Sequence, residues 1–548
     1  MSSLPHRNVR APLLWLILPF AAGIATAHFT GPIVQLVAWL VLTGLALVGG
    51  VSASKTAPRL WSVAMLGGLF GAGAIHYSVQ RQHLPEWDLL PQREVELQVN
   101  IIRLFGFEPQ DRFQNFLGEV VSARAPVGDL LGQPIHVRVR RPVDLPDVVQ
   151  RGATIKVVGQ LEPLRPSDTA GDSFLSYLFD SGHNFRLRQA RWLKTIENPS
   201  RFAQARHRLK IRAGATLSAG LDHHPEIVGA LRAMLLGERH LLSAEAKTLF
   251  LRSGTMHLFA ISGLHIGIIA VAINGALRLG RIPRFTAFAI GSLILLGYVD
   301  LIGLTPSAVR AWIMITCFHG ARVLQAPSNS VAAISASALI VLLSDPMQLF
   351  SAGFQMSYSI VFMMLLYGVP LADFWKPRAR LWRDLPRVSL RPIQRFTQDR
   401  CEVVVTAIAL TWSASLIGVI TGVGIFGWFT PLAFVANLML VPLAGAVISA
   451  GFGSLVLGLC GISSLALVFN HAAGMGLWVM YGVLEHPFRF TAGVAAEFRF
   501  SGWGEWGMIA VLVTTVFTHE LGDASSRWRW WGPVGLTFLV LVTGLRFP

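Results

Sequence analysis

The sequence predicts a mainly α-helical protein: a polytopic membrane bundle of about 11–13 spans that carries a small external β-barrel near its N-terminus. Three observations predict it. Of 548 residues, 53% are hydrophobic and only 14% charged, whereas soluble domains carry about 25% charged residues. Apolar runs of about 20 residues, enough to cross a bilayer core roughly 30 Å thick, recur along the chain. One long stretch, 80–205, breaks that pattern with polar, alternating segments. A soluble enzyme with a large core is thereby excluded. Cys317, Cys401 and Cys460 are scattered without metal-type spacing, so a disulfide framework, a zinc site and a redox pair have no support. No cofactor and no metal are expected.

Taken in order, three apolar runs at about 11–28, 32–50 and 60–78 make residues 1–79 an N-terminal set of transmembrane helices. The first resembles a signal peptide in length, but no small-residue cleavage site follows and a second run arrives at once, so it reads as retained. Later runs lie near 256–277, 285–303, 305–324, 328–344, 351–370, 403–426, 431–458 and 463–484, giving a membrane domain over 256–490. Two more, near 505–520 and 531–546, form C-terminal helices in 491–548. With the N-terminus cytoplasmic, inside segments hold eighteen Lys and Arg while the short outside loops hold Arg489 and Arg499. That bias places 80–205 outside the cytoplasm. The densest basic run, 371–400, fits two roles: a topology anchor beside anionic headgroups, and a nucleic-acid contact.

Within 80–205, Val95, Leu97, Val99 and Ile101 alternate with Glu94, Glu96, Gln98 and Asn100, the period of a half-buried strand. Ile135, Val137 and Val139 repeat the pattern, with His136, Arg138 and Arg140 on the opposite face. Ile155 and Val157, then Phe185 and Leu187, continue it between turns such as Val127-Gly128-Asp129 and Gln150-Arg151-Gly152. A five-stranded barrel of the oligonucleotide-binding type fits the length. Such barrels bind single strands through basic residues and aromatic platforms. Arg138, Arg140, Arg186 and Arg188 are the candidate DNA-binding residues. Against them, the segment holds 16 bases and 15 acids, so its net pull is almost nil and a solvated strand face competes as their role.

Residues 206–255 turn helical and amphipathic. Ile227, Ala230, Leu231, Met234 and Leu235 recur at helical spacing, too short and too charged a piece to span, so it is expected along the outer interface or capping the bundle. Ser243 reads as an N-cap, with Glu245 in the first turn.

Polar residues inside apolar segments mark an interior pathway by default. On a helix, Ser262 and His265 share a face, while His257 and His265 lie about 80° apart. Both histidines could equally be buried struts between spans. Arg310 is a permanent charge within the 305–324 run; Asp300 and Asp345 are candidate partners. Gln355, Ser357, Tyr358, Asn437, Asn470 and His471 add further polar groups, and Pro431 and Pro442 suggest a broken helix around Asn437. The candidate pathway residues are His257, Ser262, His265, Arg310, Gln355 and Asn437, with no catalytic set.

The run Gly254-Thr255-Met256-His257-Leu258-Phe259-Ala260-Ile261-Ser262-Gly263-Leu264-His265 closely resembles the signature of the ComEC competence proteins, an inner-membrane DNA-uptake channel family. Leu236-Gly237-Glu238-Arg239 precedes it as in that family. Thr305-Pro306-Ser307-Ala308-Val309-Arg310-Ala311, Asp345-Pro346, Gly353-Phe354-Gln355-Met356-Ser357, Thr430-Pro431-Leu432-Ala433 and Val441-Pro442-Leu443 follow in the family order. The resemblance implies transport of single-stranded DNA across the cytoplasmic (inner) membrane during natural transformation. It also implies partners: the DNA strand, the lipid bilayer, a periplasmic DNA receptor, and a cytoplasmic helicase or single-strand-binding protein. Full-length relatives continue into a metallo-β-lactamase-like nuclease, whereas this sequence stops at Pro548 without that His/Asp motif. Strand degradation is therefore expected to be absent or supplied by a separate nuclease. The turn Thr169-Ala170-Gly171-Asp172-Ser173-Phe174 is a weak version of the family's Asn-Pro-Gly-type turn.

Two other classes are open to the same residues. Ala260-Ile261-Ser262-Gly263 is one residue from the nucleophile motif of rhomboid intramembrane serine proteases, with His265, His319 or His471 as base. A transporter of another polar solute would show internal repeats, and none is evident.

Overall fold

Apolar periodicity builds two kinds of element, helices packed as a bundle and strands closed into a barrel. The computed structural model describes residues 12–30, most of 39–49, 58–81, 85–106, 112–123, 130–140, 150–165, 168, 173–325, 329–430, 432–490, 496–500, 507–516, 518 and 528–546. The expected 32–50 span falls largely outside them, as do Pro431, Val127-Gly128-Asp129 and most of the 169–174 turn.

The barrel comprises β1 (Arg93–Leu104), β2 (Phe113–Ala123), β3 (Pro134–Arg140), β4 (Thr154–Pro163) and β5 (Phe185–Glu197), closed in the order β1-β2-β3-β5-β4. β3 and β5 run parallel and the other pairs antiparallel. Val95, Leu97, Val99 and Ile101 point inward, joined by Val137, Ile155, Val157 and Leu187. Each such side chain contributes roughly 1.5–3 kcal/mol by leaving water. The helices α1 (Pro12–Thr30) and α2 (Pro58–Arg81) precede the barrel, and the short helix α3 (Ser173–Asp180) lies between β4 and β5. His136 departs from its expected place on an open polar face: it is buried, with the rings of Phe105 and Phe174 at 6.3 and 5.2 Å, because α3 covers that side of β3.

After the barrel come α4 (Arg201–Ser218), α5 (Pro225–Leu236) and α6 (Ala244–Arg252), which Ser243 caps by accepting from the Ala246 N–H at 3.1 Å. α5 packs into the bundle. Ala230, Leu231 and Ala233 to Leu236 are fully enclosed in the bundle core, since its apolar stripe meets α14 and α15 as well as α4. The bundle continues with α7 (Gly263–Leu279), α8 (Arg284–Leu301), α9 (Pro306–Val323), α10 (Ser330–Ser344), α11 (Ala352–Met363) and α12 (Val369–Trp375). It ends with α13 (Pro392–Phe426), α14 (Ala433–Leu459), α15 (Ser463–Phe490), α16 (Gly507–Val516) and α17 (Trp528–Gly544).

Among the described residues, seven helices are long and apolar enough to cross a membrane. That is fewer than the sequence runs suggest, because several runs do not form one uninterrupted helix. The 256–277 run is split: Met256–Phe259 forms a 3₁₀ turn, Ala260 to Ser262 are extended, and α7 starts only at Gly263. At 17 residues α7 is about 26 Å long, short of the hydrocarbon core. Irregular backbone at that depth is tolerated where protein covers it or a cavity borders it. Conversely α13 has 35 residues, about 52 Å, so its charged start at Arg395, Asp399 and Arg400 projects beyond the apolar part. α14 runs unbroken through Pro442, so Asn437 sits in a continuous helix and not in a broken one.

Candidate functional site

Between the barrel and the barrel-facing ends of α4, α5, α8 and α9 lies a cleft of about 1290 Å³. Its size exceeds the range of about 300–1,000 Å³ usual for small-ligand pockets, which suits an extended ligand. Gly237 makes one wall possible. With φ at 73° it ends α5 in the left-handed region, a conformation costly for other residues, and sends Glu238, Arg239 and His240 into the cleft. The opposite wall is the end of β1 with Arg103, Leu104 and Phe105. α4 supplies Arg206 and Lys210, one helical turn apart, and the floor is formed by Ile261 with Thr305, Pro306 and Ser307.

Seven Lys and Arg line this cleft against two carboxylates. Both carboxylates are taken. Asp300 accepts from Arg151 at 3.0 Å and from Arg206 at 3.2 Å. Glu238 accepts from Arg232 at 2.7 Å and has Lys210 at 3.8 Å. Arg103 and Arg239 have no carboxylate partner among the described residues. Arg103 donates to the Tyr177 hydroxyl at 3.3 Å, and Arg239 donates to the Phe259 carbonyl at 3.2 Å. Burial, and then the charge of Arg103, hold the Arg239 guanidinium below its ordinary pKa. The surplus of fixed positive charge in a recess makes the cleft a candidate anion site.

Below the floor is the signature segment. Gly254, at φ 70°, turns the chain where a Cβ would lie 2.7 Å from the Ala433 Cβ, so α6 and α14 approach closely only with glycine there. His257 and His265 do not share a helix, because the chain is non-helical from Ala260 to Ser262. Ser262 is instead the N-cap of α7. His265 Nδ1 accepts from the Ser262 backbone N–H at 3.2 Å and lies 2.9 Å from Ser262 Oγ. His265 is fully buried. Ser307 on α9 donates to the Ile261 carbonyl at 2.7 Å. His257 differs: its side chain is exposed to open space. Gly263 and Gly267 border open space too, since a Cβ at either would meet nothing within 4 Å.

Arg310 is 3% exposed and packs on Gly353 of α11. It donates to Ser357 Oγ at 3.2 Å and to Gln348 Oε1 at 3.5 Å. Neither expected carboxylate touches it. Asp300 is held by Arg151 and Arg206, and Asp345 is one residue removed, accepting from Gln348 Nε2 at 2.9 Å. Gln355 donates to the Leu349 carbonyl at 3.2 Å and so steadies the same turn. The pathway candidates thus form two groups joined by α9: Ser262 and His265, contacted through Ser307, and Arg310 with Gln355. Among the described residues, Asn437 contacts neither group by a hydrogen bond and its buried Oδ1 has no partner. Asn470 is a strut, donating to the carbonyls of Thr216 and Ala219 at 2.6 and 3.0 Å.

The four barrel arginines do not form one surface. Arg186 and Arg188 both pair with Glu162, at 2.8 and 3.3 Å, because β4 and β5 place them on adjacent rungs. Arg138 stacks over Phe113 at 4.5 Å. Arg140 lines a smaller hollow of about 570 Å³ with Arg93, Arg112, Phe113 and Arg191. The basic 371–400 run folds on itself: Arg378 donates to the Phe374 carbonyl at 2.7 Å and Arg395 to the Val388 carbonyl at 2.6 Å.

Sequence reasoning passed over the cleft residues Arg103, Arg206, Lys210 and Arg239 as site residues. One signal was visible, the spacing of Arg206, His207 and Lys210 on one helical face.

Residues 234–521 match the family described as Competence protein. A 143-residue stretch is 36% identical to ComE operon protein 3 of Bacillus subtilis (strain 168), covering 26% of this chain and 18% of that protein. Over 215 residues the chain is 26% identical to the uncharacterized protein YcaI of Escherichia coli (strain K12), covering 38% of this chain and 26% of the relative. The chain therefore spans only about a fifth to a quarter of the curated relatives it matches. No solved structure matches. The family match takes in more than half of the chain and includes the signature, the Arg310 segment and the floor of the cleft, so the chain belongs to the competence protein family.

Proposed function

We propose that this chain moves a single strand of DNA across the cytoplasmic membrane in natural transformation, with the basic cleft as its outer vestibule. The observation that carries the reading is that the cleft joins seven bases to the competence-type segments Gly237-Glu238-Arg239, Ile261 and Thr305-Pro306-Ser307. A polyphosphate is attracted by such a recess and repelled by bare hydrocarbon, so a polar route must continue from it. His257, Ser262, Arg310, Gln355 and Asn437 are the groups proposed to border that route, with His265 as the cap that shapes its wall. In this reading the N-terminus is cytoplasmic and the barrel external, where a DNA receptor delivers the strand. A helicase or single-strand-binding protein draws it in. The chain itself acts as a conduit and not as an enzyme. The test is deletion of the gene followed by measuring cytoplasmic arrival of labelled DNA. Unchanged arrival refutes the reading.

One contact favours a second reading, proteolysis: Ser262 Oγ lies 2.9 Å from His265 Nδ1. The same Nδ1 also accepts the Ser262 backbone N–H, which is cap geometry, and the ring is sealed from water. Ser262→Ala that abolishes cleavage of a membrane substrate, with DNA arrival unaffected, would favour the protease.

A further inference from the structure

Resting on that reading, we propose that Arg103 and Arg239 form a phosphodiester clamp between barrel and bundle, with Phe105 as a base-stacking platform, so that the cleft seats the backbone of a single-stranded nucleic acid. Four of the seven cleft bases sit beside a carboxylate. Arg151 and Arg206 share Asp300, and Arg232 and Lys210 share Glu238. Arg103 and Arg239 come from different parts of the molecule, line one recess, and among the described residues find only neutral oxygens, the Tyr177 hydroxyl and the Phe259 carbonyl. Like charges facing each other across a recess are relieved by a bound anion. Guanidinium forks match the paired oxygens of a phosphate.

Phe105 adds what a plain anion site lacks. It lines the cleft, and the Arg103 guanidinium stands 5.4 Å from its ring centre. Phe174 meets it edge-on at 5.8 Å, which holds its orientation. An aromatic face beside a phosphate-binding fork is the pairing that retains single strands irrespective of sequence. A lipid headgroup offers the phosphate but no ring to stack.

The experiment uses the full chain in nanodiscs of zwitterionic lipid and fluorescein-labelled oligothymidylate, with binding followed by anisotropy across salt concentrations. Arg103→Gln with Arg239→Gln is expected to weaken binding at least tenfold at low salt. The slope of log K against log salt is expected to fall by roughly 1.4, since each single-strand phosphate contact contributes about 0.7. Arg103→Lys with Arg239→Lys, which keeps the charge, restores most of the salt slope and guards against a folding artefact. Phe105→Leu is expected to weaken binding several-fold with the slope unchanged. Wild-type affinity and slope in the double Gln variant, or no oligothymidylate binding by the wild type, overturns the clamp. So does a double Gln variant that loses only co-purifying anionic lipid. In cells the two ideas separate: if deletion stops DNA arrival but the double Gln variant imports normally, the conduit stands and the clamp falls.

Discussion

Asp300, in the last turn of α8, accepts a hydrogen bond from Arg151 of the barrel at 3.0 Å. Arg206 reaches both oxygens of the same carboxylate at 3.2 Å. One acid from the bundle thus ties down the barrel and the first helix after it, and it fixes the width of the cleft between them. Asp300→Ala is expected to destabilise the protein by roughly 1–2 kcal/mol, because two partly buried guanidiniums lose their acceptor. Hydrogen exchange should rise at the 150–153 turn and along α4, while the barrel core stays protected. Unchanged exchange at both places would show that the tie carries no weight.

His257 and His265 belong to one motif but have opposite surroundings, and their variants should separate accordingly. His265→Ala removes a buried capping partner of α7 and is expected to cost about 1–3 kcal/mol and to lower the amount of protein in the membrane. His257→Ala should leave thermal stability and abundance intact while reducing DNA arrival in the cytoplasm. Surface binding of DNA should persist. A stability loss in His257→Ala with normal transport would assign it a structural role.

Arg310 is held by neutral acceptors, so its charge stands without a direct counter-ion among the described residues. Arg310→Gln retains a donor for Ser357 and an amide for Gln348 but removes the charge. The expected result is normal abundance with at least tenfold fewer transformants. Gly353→Ala, whose new methyl would stand 2.8 Å from the guanidinium, should give a milder defect by moving the Arg310 head group. Full transformation by Arg310→Gln would remove the charge from the mechanism.

Barrel stability should depend on acidity. Burial pushes His136 and His183 down to about 4, with the mutual charge of the two and nearby arginines adding to the effect on His136. An unfolded histidine takes a proton near pH 6.5, so between that value and about 4 the unfolded chain binds more protons than the folded one. Stability is then complete above about pH 6.5 and declines as the pH falls toward 4, by up to roughly 3 kcal/mol per histidine. Melting of the full chain in detergent at pH 7 and pH 5 measures this. His136→Gln should flatten the profile, and an identical profile would contradict it.

Much of the fold was legible because its signals are local. The alternation Val95, Leu97, Val99, Ile101 dictates which face of β1 turns inward, and the long run within α13 can satisfy its backbone in a bilayer only as a helix. The Ser243 cap was legible for the same reason, since its acceptor lies three residues away. The charge partners were not. Arg186 and Arg188 read as DNA contacts or a solvated strand face until the β4–β5 register set Glu162 between them, and Asp300 and Asp345 read as candidate partners of Arg310 until Arg151 and Arg206 took the first and Gln348 the second.

By itself the sequence determined that this chain enters a membrane, that a barrel interrupts its spans, and which family its motifs belong to, because hydropathy, period and motif are properties of neighbouring residues. Only the tertiary structure decided where the unneutralised charge lies. Electrostatic pairing acts between groups separated by up to some 149 positions, as in Arg151 and Asp300, and depends on which surfaces the packing brings within a few ångströms. That pairing moved the candidate nucleic-acid contact from the outer face of the barrel to the cleft that Arg103 shares with Arg239.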